Sequence, residues 1–291
     1  MDEVKQATAV CPQMIRQALV QMPSSQIRQI EEIRLRTGQP PTYLKSGREK
    51  AFASFLVQTH DLAEVIDRAS DNSNYAVQDM LKSGFLTIAG GHRIGVCGRV
   101  VYKENEIYSI KDISSLNIRV ARQVSGVADS AISFIWTHPR STLILGPPGR
   151  GKTTLLRDLI RQLSDRFFWR ICVVDERMEI ASIVKGVSQF ALGSYTDVLS
   201  CVRKEEGIEF LLRSMNPQWI ALDEITAQKD IEAMTKASYC GVRFIATAHA
   251  ACIQELQQRP LYQNLLASRV FQNVILIDEN RNLHMEVLTN D

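Results

Sequence analysis

The sequence predicts an α/β protein of two domains: a smaller α+β domain over residues 1–125, then an α/β domain with a parallel-rich central sheet over residues 126–291. With 291 residues, the chain is longer than a single domain usually is. Its second half contains five apolar runs, and stretches long enough for helices join the first four, a pattern typical of a parallel sheet covered on both faces. Its first half mixes helix and strand patterns. The five runs are STLILG, ICVVDE, WIALDE, FIATAH and NVILID.

The N-terminal half begins with a helical pattern and continues with strands. Apolar residues between Met14 and Met22 recur at the spacing of one helix face, and Pro23 ends that helix. The run IRLRTGQPPTYL indicates a strand and a turn, and FLTIAGGHRIGVCGRVVY indicates a hairpin around Gly90-Gly91. SLNIRVAR predicts one more strand, which ends at Arg122. Small residues after it mark the domain boundary.

Composition and charge argue against several classes of protein. The 34 basic and 32 acidic residues leave a net charge of +2, which gives no general attraction to nucleic acid. No run of about 18 apolar residues is present, and the acidic start with Asp2 and Glu3 differs from a secretory signal. The six cysteines are scattered without metal-ligand spacing, as in a reducing compartment. We therefore expect a cytoplasmic protein that binds no nucleic acid and has no direct membrane insertion, so that it reaches a membrane only through partners.

A glycine-rich loop follows the first apolar run of the second half. GPPGRGKTTLL fits the pattern G-x-x-x-x-G-K-[ST] and leads into a stretch of good helix formers. Its glycines let backbone N–H groups face a phosphate, and the helix N-terminus adds positive potential. Lys152 neutralises phosphate charge and Thr153 can ligate Mg²⁺, so we expect ATP and Mg²⁺ as cofactors. The predicted nucleotide-binding residues are Gly146, Pro147, Pro148, Gly149, Arg150, Gly151, Lys152, Thr153 and Thr154.

Hydrolysis also needs a carboxylate near the phosphates, and two strand ends supply candidates. WIALDEI ends in Asp223-Glu224, where an acid at the strand tip needs a metal ion or hydrogen bonds to offset burial. VVDERMEI carries Asp175, Glu176 and Glu179 one helix length after the phosphate loop, so we expect its strand next to the phosphate-loop strand or close to it. Solvated strand ends are the alternative. The candidate catalytic acids are Glu224, Glu176 and Glu179, and the candidate metal ligands are Thr153, Asp223 and Asp175.

A histidine stands at the end of a later strand. FIATAHA places His249 there, in the same half of the chain as the phosphate loop. Such a histidine senses the γ-phosphate or simply hydrogen-bonds to the backbone, and we favour the sensor role. His249 is therefore a fourth candidate catalytic residue.

Taken together, these segments resemble the secretion ATPases, the ring-forming motors of type II and type IV secretion and pilus machines. In that family the second segment ends acid-acid-Pro-x-Glu, and here DERME has Arg177 in place of the proline. LLRSMNPQWIALDEI resembles the family's Walker B region, with Glu224 as the catalytic-site glutamate, and TAHA resembles its His box. The resemblance implies a RecA-like P-loop ATPase domain.

Within this superfamily, the chain most resembles the stage III sporulation protein AA family over nearly its whole length. The resemblance implies an ATPase of endospore-forming bacteria that acts in the mother cell, at the channel to the forespore. It also implies a homo-oligomeric ring, most simply a hexamer, and membrane-embedded channel proteins as partners. The similar blocks are EEIRLRTGQP, GGHRIGVCGRV, SLNIRVAR, GKTTLLRDLIR, VVDERMEI, RSMNPQWIALDEI and GVRFIATAHA.

Arginines carry two further expectations from this resemblance. Secretion ATPases bring arginines of the N-terminal domain onto the γ-phosphate, and we expect one or two of four candidates to do so here. The candidate arginine fingers are Arg93, Arg99, Arg119 and Arg122. At GSYTDVL the family has an arginine where this chain has Ser194-Tyr195, which puts in question any contact of that arginine with nucleotide or a neighbouring subunit.

The sequence thus predicts an ATP-hydrolysing motor of a secretion-type channel, in which hydrolysis changes the angle between the domains and pulls on partners at the membrane. Two other functions remain open. A packaging or helicase-like ATPase stimulated by nucleic acid uses the same core, but needs a basic, aromatic-lined channel that the net charge does not favour. A nucleotide-dependent scaffold would bind ATP without hydrolysing it.

Overall fold

Two β-sheets organise the described part of the chain, one in each half. A computed structural model describes residues 3–70 and 84–288. The chain divides into two compact units, Met1–Arg122 and Gln123–Asp291. The predicted domain boundary, between residues 125 and 126, lies just after this division.

The N-terminal unit is built on an antiparallel sheet. Its helices are α1 (Glu3–Ala7), α2 (Gln13–Val20), α3 (Ser24–Ile27) and α4 (Thr59–Ala69). Its strands are β1 (Glu32–Arg36), β2 (Thr42–Lys45), β3 (Arg48–Ala51), β4 (Phe85–Ile88), β5 (His92–Lys103) and β6 (Glu106–Arg119). The order across the described sheet is β3-β2-β1-β6-β5-β4, and each neighbouring pair is antiparallel.

Alternation of apolar residues explains how this sheet meets its helices. Ile33 and Leu35 of β1 and Ile94 of β5 are fully buried in one core with residues of α2 and α4. The predicted first helix and the hairpin around Gly90-Gly91 are both present. The last predicted strand ends at Arg119 rather than at Arg122.

The C-terminal unit is built on a parallel-rich sheet. Its helices are α5 (Asp129–Thr137), α6 (Lys152–Phe167), α7 (Lys204–Ser214), α8 (Gln228–Tyr239), α9 (Ile253–Gln257) and α10 (Pro260–Ala267). Its strands are β7 (Thr142–Leu145), β8 (Ile171–Asp175), β9 (Thr196–Ser200), β10 (Trp219–Leu222), β11 (Arg243–Ala248), β12 (Asn273–Ile277) and β13 (Leu283–Val287). The order is β13-β12-β7-β11-β10-β8-β9, and β13 is antiparallel to β12 while the other neighbours are parallel.

Helices cover both faces of this sheet. Leu143 packs into a core with residues of α7, α8 and α10, whereas the next residue, Ile144, packs into a second core with residues of α5 and α6. Central strands buried on both faces read as continuous apolar runs, which is why the sequence revealed them. The predicted α/β class with a parallel-rich sheet is confirmed.

The position of β8 differs from the prediction. β10 and β11 lie between β8 and the phosphate-loop strand β7, so the two strands are not neighbours. A helical crossover can pass over several strand positions, and so the length of α6 does not decide where the next strand enters the sheet. Two strands therefore separate the acids of VVDERMEI from the phosphate-loop strand.

No helix among residues 3–70 and 84–288 is long and apolar enough to cross a membrane. The cysteines are free thiols, and Cys11 and Cys172 are buried. Burial raises the pKa of each of these two thiols to about 12.

Candidate active site

The phosphate loop connects β7 to α6 at the carboxyl end of the sheet. Gly151 has a φ of 94°, in the left-handed region that favours glycine, and it caps the N-terminus of α6. No atom lies within 4 Å of where a Cβ of Gly151 would stand, so this side of the loop is open. At Gly146, by contrast, a Cβ would lie 3.3 Å from the Cβ and carbonyl oxygen of Ile277 in β12. The loop therefore sits tightly on the sheet and opens away from it.

Lys152 makes three close contacts at this loop. Its Nζ donates to the carbonyl oxygens of Gly146 at 2.7 Å and Pro147 at 3.0 Å, and it lies 2.7 Å from Nδ1 of His249. Burial lowers the pKa of Lys152, while the charges of Glu224 and Asp223 oppose that shift. The lysine is thus a buried cation whose protons all point at acceptors.

His249 joins this lysine to an acid. Nδ1 faces Lys152, and Nε2 lies 3.2 Å from Oε2 of Glu224. Because the ammonium donates to Nδ1, that nitrogen carries no proton, and Nε2–H donates to the carboxylate. The ring therefore contacts two side chains of the site. The carbonyl oxygen of His249 separately accepts from Nη1 of Arg259 at 3.0 Å.

Asp223 is held by two hydroxyl groups. Thr153 Oγ1 donates to Oδ2 at 3.2 Å, and Thr247 Oγ1 donates to Oδ1 at 2.8 Å. Thr247 was not among the predicted residues. It lies on β11 two positions before His249, the residue that directly follows the strand. Strand alternation continued by one residue places both side chains on one side, so the sequence did contain this signal.

Asp175 anchors the turn after β8. It is 1% exposed, and its two carboxylate oxygens accept four backbone N–H groups at 2.7–3.1 Å. These bonds occupy the carboxylate, which argues against the metal-ligand role expected for Asp175. The N–H donors belong to Glu179, Ile180, Ala181 and Ser182.

The other two acids of this segment reach the site. Glu179 lines a cavity of about 330 Å³, and its carbonyl oxygen accepts two bonds from Arg157. Glu176 lines a separate cavity of about 20 Å³ and forms an ion pair with Lys204. Glu179, Asp223 and Glu224 line both cavities. The larger cavity is also lined by Gly149, Gly151, Lys152, Thr153, Thr154, Asp223, Thr247 and His249.

The remaining loop residues differ in their contacts. Arg150 Nη1 donates to the carbonyl oxygen of Glu279 at 3.0 Å, which links the loop to the turn between β12 and β13. Pro147 contributes its carbonyl oxygen to Lys152, and Pro148 lies next to it in the loop. The predicted nucleotide-binding residues thus form one continuous segment from β7 to α6.

Ser194 and Tyr195 lie at the other end of the sheet. They precede β9, which runs parallel to β8, whereas the phosphate loop follows the carboxyl end of β7. Ser194 N donates to Asp165 and Tyr195 N to Ser164, and both acceptors are in the last turn of α6. The position of the expected arginine is therefore remote from the phosphate loop of the same chain.

Two of the four candidate arginine fingers, Arg122 and Arg119, contact other residues of the N-terminal unit. Arg122 Nη2 donates to the carbonyl oxygens of Arg28 at 3.0 Å and Ile30 at 2.6 Å. Arg119 lies 3.5 Å from Glu32. The finger role stays a prediction for both.

The other two arginines lie on or beside the β5–β6 hairpin. The guanidinium of Arg93 lies over the ring of Phe85, 4.4 Å from its centroid. Arg99 Nε donates to the carboxylate of Asp112 at 2.7 Å, and both side chains are exposed. Their finger role also stays a prediction.

Comparisons with known proteins identify a family and a shared fold. The family model described as Sporulation stage III, protein AA, matches residues 1–287. The stage III sporulation protein AA of Bacillus subtilis (strain 168) is 36% identical over 271 residues, which cover 91% of this chain and 88% of that protein.

Two solved structures share the fold. The Legionella pneumophila ATPase DotB superposes with a TM-score of 0.58 at 16% identity, covering 94% of this chain and 78% of that chain. The pilus retraction motor PilT with bound ADP superposes with a TM-score of 0.61 at 19% identity, covering 96% and 82%. At these identities the likeness shows the fold, and it confirms the predicted architecture. Because the family model spans nearly the whole length, this chain belongs to the sporulation stage III protein AA family.

Proposed function

We propose that this chain is an ATP-hydrolysing motor of a secretion-type channel that acts in sporulation. One observation carries the proposal: a phosphate loop, a buried lysine, a histidine and two acids contact one another at the carboxyl ends of β7, β10 and β11. Family membership supports the link to sporulation. The fold shared with DotB, described as an ATPase, and with PilT, described as a retraction motor, supports the motor class.

The residues present fit a nucleotide phosphate. Gly151 leaves the outer side of the loop open at the N-terminus of a 16-residue helix, where backbone N–H groups and the helix dipole favour an anion. Lys152 would exchange its carbonyl contacts with Gly146 and Pro147 for phosphate oxygens. The adjoining cavity of about 330 Å³ has the size of a small-molecule site.

The donor set also fits Mg²⁺. Thr153 and Asp223 present a hydroxyl and a carboxylate oxygen 3.2 Å apart, the hard oxygen ligands that Mg²⁺ prefers. Within the described residues, no group of three or more His, Cys, Asp or Glu side chains could hold a metal ion alone, so phosphate and water oxygens would complete the coordination. When bound, Mg²⁺ neutralises charge on the β- and γ-phosphates.

We assign Glu224 the role of positioning the attacking water. Its carboxylate lines the same cavity as the phosphate loop, and the Nε2–H of His249 fixes one of its oxygens. A carboxylate held in one orientation can accept a proton from water that lies against the γ-phosphate. His249 also contacts Lys152, so it links the acid to the phosphate-binding cation.

The finer parts of the proposal concern assembly. We propose a homo-oligomeric ring, most simply a hexamer, with membrane-embedded channel proteins as partners on the mother-cell side. One or two of the four arginine fingers would supply positive charge to the transition state, an effect worth several kcal/mol. Hydrolysis would change the angle between the domains and pull on the partners.

Phosphate release by the purified full-length chain tests the enzymatic role. We expect Lys152→Ala to lose nucleotide binding, and Glu224→Gln to bind ATP while its turnover falls by about 10²-fold or more. Lys236→Ala and Glu232→Gln, at exposed positions of α8, are matched controls and should behave like wild type. Normal turnover by Glu224→Gln would assign the water to Glu176 or Glu179 instead.

The two alternative functions have their own tests. Strong stimulation of turnover by single-stranded DNA or RNA, against a control without nucleic acid, would contradict the secretion-motor proposal. Binding of ATP with Mg²⁺ but no turnover, even in assembled rings, would favour the scaffold.

A further inference from the structure

A buried lysine beside the acids has no role in the function proposed so far. Lys204 is the first residue of α7, and its side chain is 4% exposed. Its Nζ forms an ion pair with Oε2 of Glu176, the residue that follows β8. Burying an ammonium group is unfavourable unless a partner compensates the charge. The burial of this ion pair therefore calls for a structural or functional explanation.

Packing of the helix does not supply that reason. Gly207 of α7 approaches β8 so closely that a Cβ there would lie 2.6 Å from Cγ1 of Val174. Ile208 and Leu211 of the same helix are buried in the core on that face of the sheet. An apolar residue of similar volume can often replace a buried ion pair without loss of stability. The helix is thus docked by apolar contacts that do not involve Lys204.

Asp230 is another acid within electrostatic range of Lys204, and it is already engaged. Asp230 caps α8, where its Oδ2 accepts the backbone N–H groups of Thr226 at 3.2 Å and Ala227 at 3.1 Å. Glu176 is therefore the carboxylate that Lys204 holds directly.

Glu176 occupies a position where its orientation matters. It lines the cavity of about 20 Å³ together with Asp223 and Glu224, which is room for about one water molecule. An unpaired carboxylate there would repel the neighbouring acids and the phosphates of a nucleotide, since like charges a few ångströms apart repel strongly in a partly buried site. The ion pair with Lys204 compensates the negative charge of Glu176 and holds its carboxylate in one orientation.

We propose that Lys204 is a positioning residue of the active site, which acts by holding Glu176 in the wall that Glu176 shares with Asp223 and Glu224. The proposal rests on the ATPase function proposed above. In this arrangement the first residue of α7 provides the ammonium group, and the residue after β8 provides the carboxylate that it holds. The two acids of the shared wall, Asp223 and Glu224, come directly after β10. Loss of the ammonium would disturb the step after nucleotide binding more than binding itself.

Steady-state kinetics of the full-length chain test this role. We expect Lys204→Met to lower kcat by about tenfold while KM for ATP stays within about twofold, and Lys204→Arg to recover most of the loss. Arg203→Met is the matched control, because Arg203 is the preceding cation but is 64% exposed and pairs with Glu206 on the surface. Unchanged kcat in Lys204→Met would overturn the proposal.

A double-mutant cycle separates positioning from a general structural effect. Since Lys204 acts through Glu176, adding Lys204→Met to Glu176→Gln should change kcat by less than about twofold. An equal loss of kcat with and without Glu176 would overturn the proposal.

A measurement without turnover keeps this proposal separate from the ATPase proposal. Carbodiimide-driven amine labelling of carboxylates, read by mass spectrometry, should increase at Glu176 by several-fold in Lys204→Met, with Glu205 as an internal reference. Unchanged labelling of Glu176 would overturn the role of Lys204 whatever the turnover. Increased labelling in a chain without ATPase activity would instead refute the proposed function and leave the hold of Lys204 on Glu176 standing.

Discussion

Replacing Asp175 by asparagine tests whether this acid anchors a turn or holds a metal ion. Oδ1 accepts the N–H groups of Glu179 at 2.7 Å and Ile180 at 2.9 Å, and Oδ2 accepts those of Ala181 at 2.8 Å and Ser182 at 3.1 Å. Asparagine has the same shape but turns one of these oxygens into an N–H donor. Two backbone N–H groups would then face a donor in a site that is 1% exposed.

The structure sets the size of the effect. Each buried donor that loses its acceptor costs about 1–3 kcal/mol, so two cost about 2–6 kcal/mol. The two bonds that remain also lose the strength that a charged acceptor gives them. We expect Asp175→Asn to lower the free energy of unfolding by about 4 kcal/mol, a large part of the 5–15 kcal/mol that stabilises typical domains.

Denaturant unfolding followed by tryptophan fluorescence measures this loss in the C-terminal unit, which contains Asp175. The three tryptophans, Trp136, Trp169 and Trp219, all lie in the C-terminal unit. Asp165→Asn is the control, because Asp165 is exposed and accepts one backbone N–H at 2.8 Å, and its loss should be below about 1 kcal/mol. Unfolding of Asp175→Asn within about 1 kcal/mol of wild type without Mg²⁺ and nucleotide would refute the turn-anchor role and restore the metal-ligand expectation.

Two further predictions concern a hydroxyl group and a histidine. Thr247→Val should raise the Mg²⁺ concentration for half-maximal turnover by several-fold, because its hydroxyl orients the aspartate that would hold the ion, and an unchanged Mg²⁺ titration would contradict this. Burial lowers the pKa of His92 to about 4. Between pH 6.5 and about 4, the unfolded state therefore binds more protons than the folded state. The free energy of unfolding of the N-terminal unit should fall by about 3 kcal/mol as the pH is lowered through this range. Urea unfolding followed by circular dichroism should show this loss in wild type, and His92→Phe should remove the contribution of His92. An unchanged dependence of the unfolding free energy on pH in the variant would refute this role of His92.

The sequence predicted what depends on local pattern. The phosphate loop is one continuous segment, and the strands β7, β8, β10, β11 and β12 are runs of buried apolar residues, so both could be identified without tertiary information. β9 and β13 were missed because their residues are half-buried or exposed at the two edges of the sheet and form no such run. The alternation in LHMEV is a weaker signal over so few residues.

What the sequence could not decide depends on how distant segments meet. Asp175 and Glu176 are adjacent acids at one strand end, yet one binds four backbone amides and the other pairs with Lys204, 28 residues later in the chain. The order of strands in the sheet, which separates β8 from β7, is likewise set by crossovers and not by spacing along the chain. The role of an acid at a strand end therefore depends on the turn that follows it.

In the proposed function, the shared imidazole couples nucleotide binding at the phosphate loop to the orientation of Glu224. When Lys152 moves to a phosphate, Nδ1 of His249 loses its hydrogen-bond donor. The ring, whose Nε2 contacts Glu224, is then free to change its tautomer or its orientation. Linkage is reciprocal, so any influence that reorients Glu224 must change the affinity of the loop for nucleotide by the same factor. In the proposed motor, a partner that displaces β10 or β11 would therefore change the affinity for nucleotide without contacting the nucleotide.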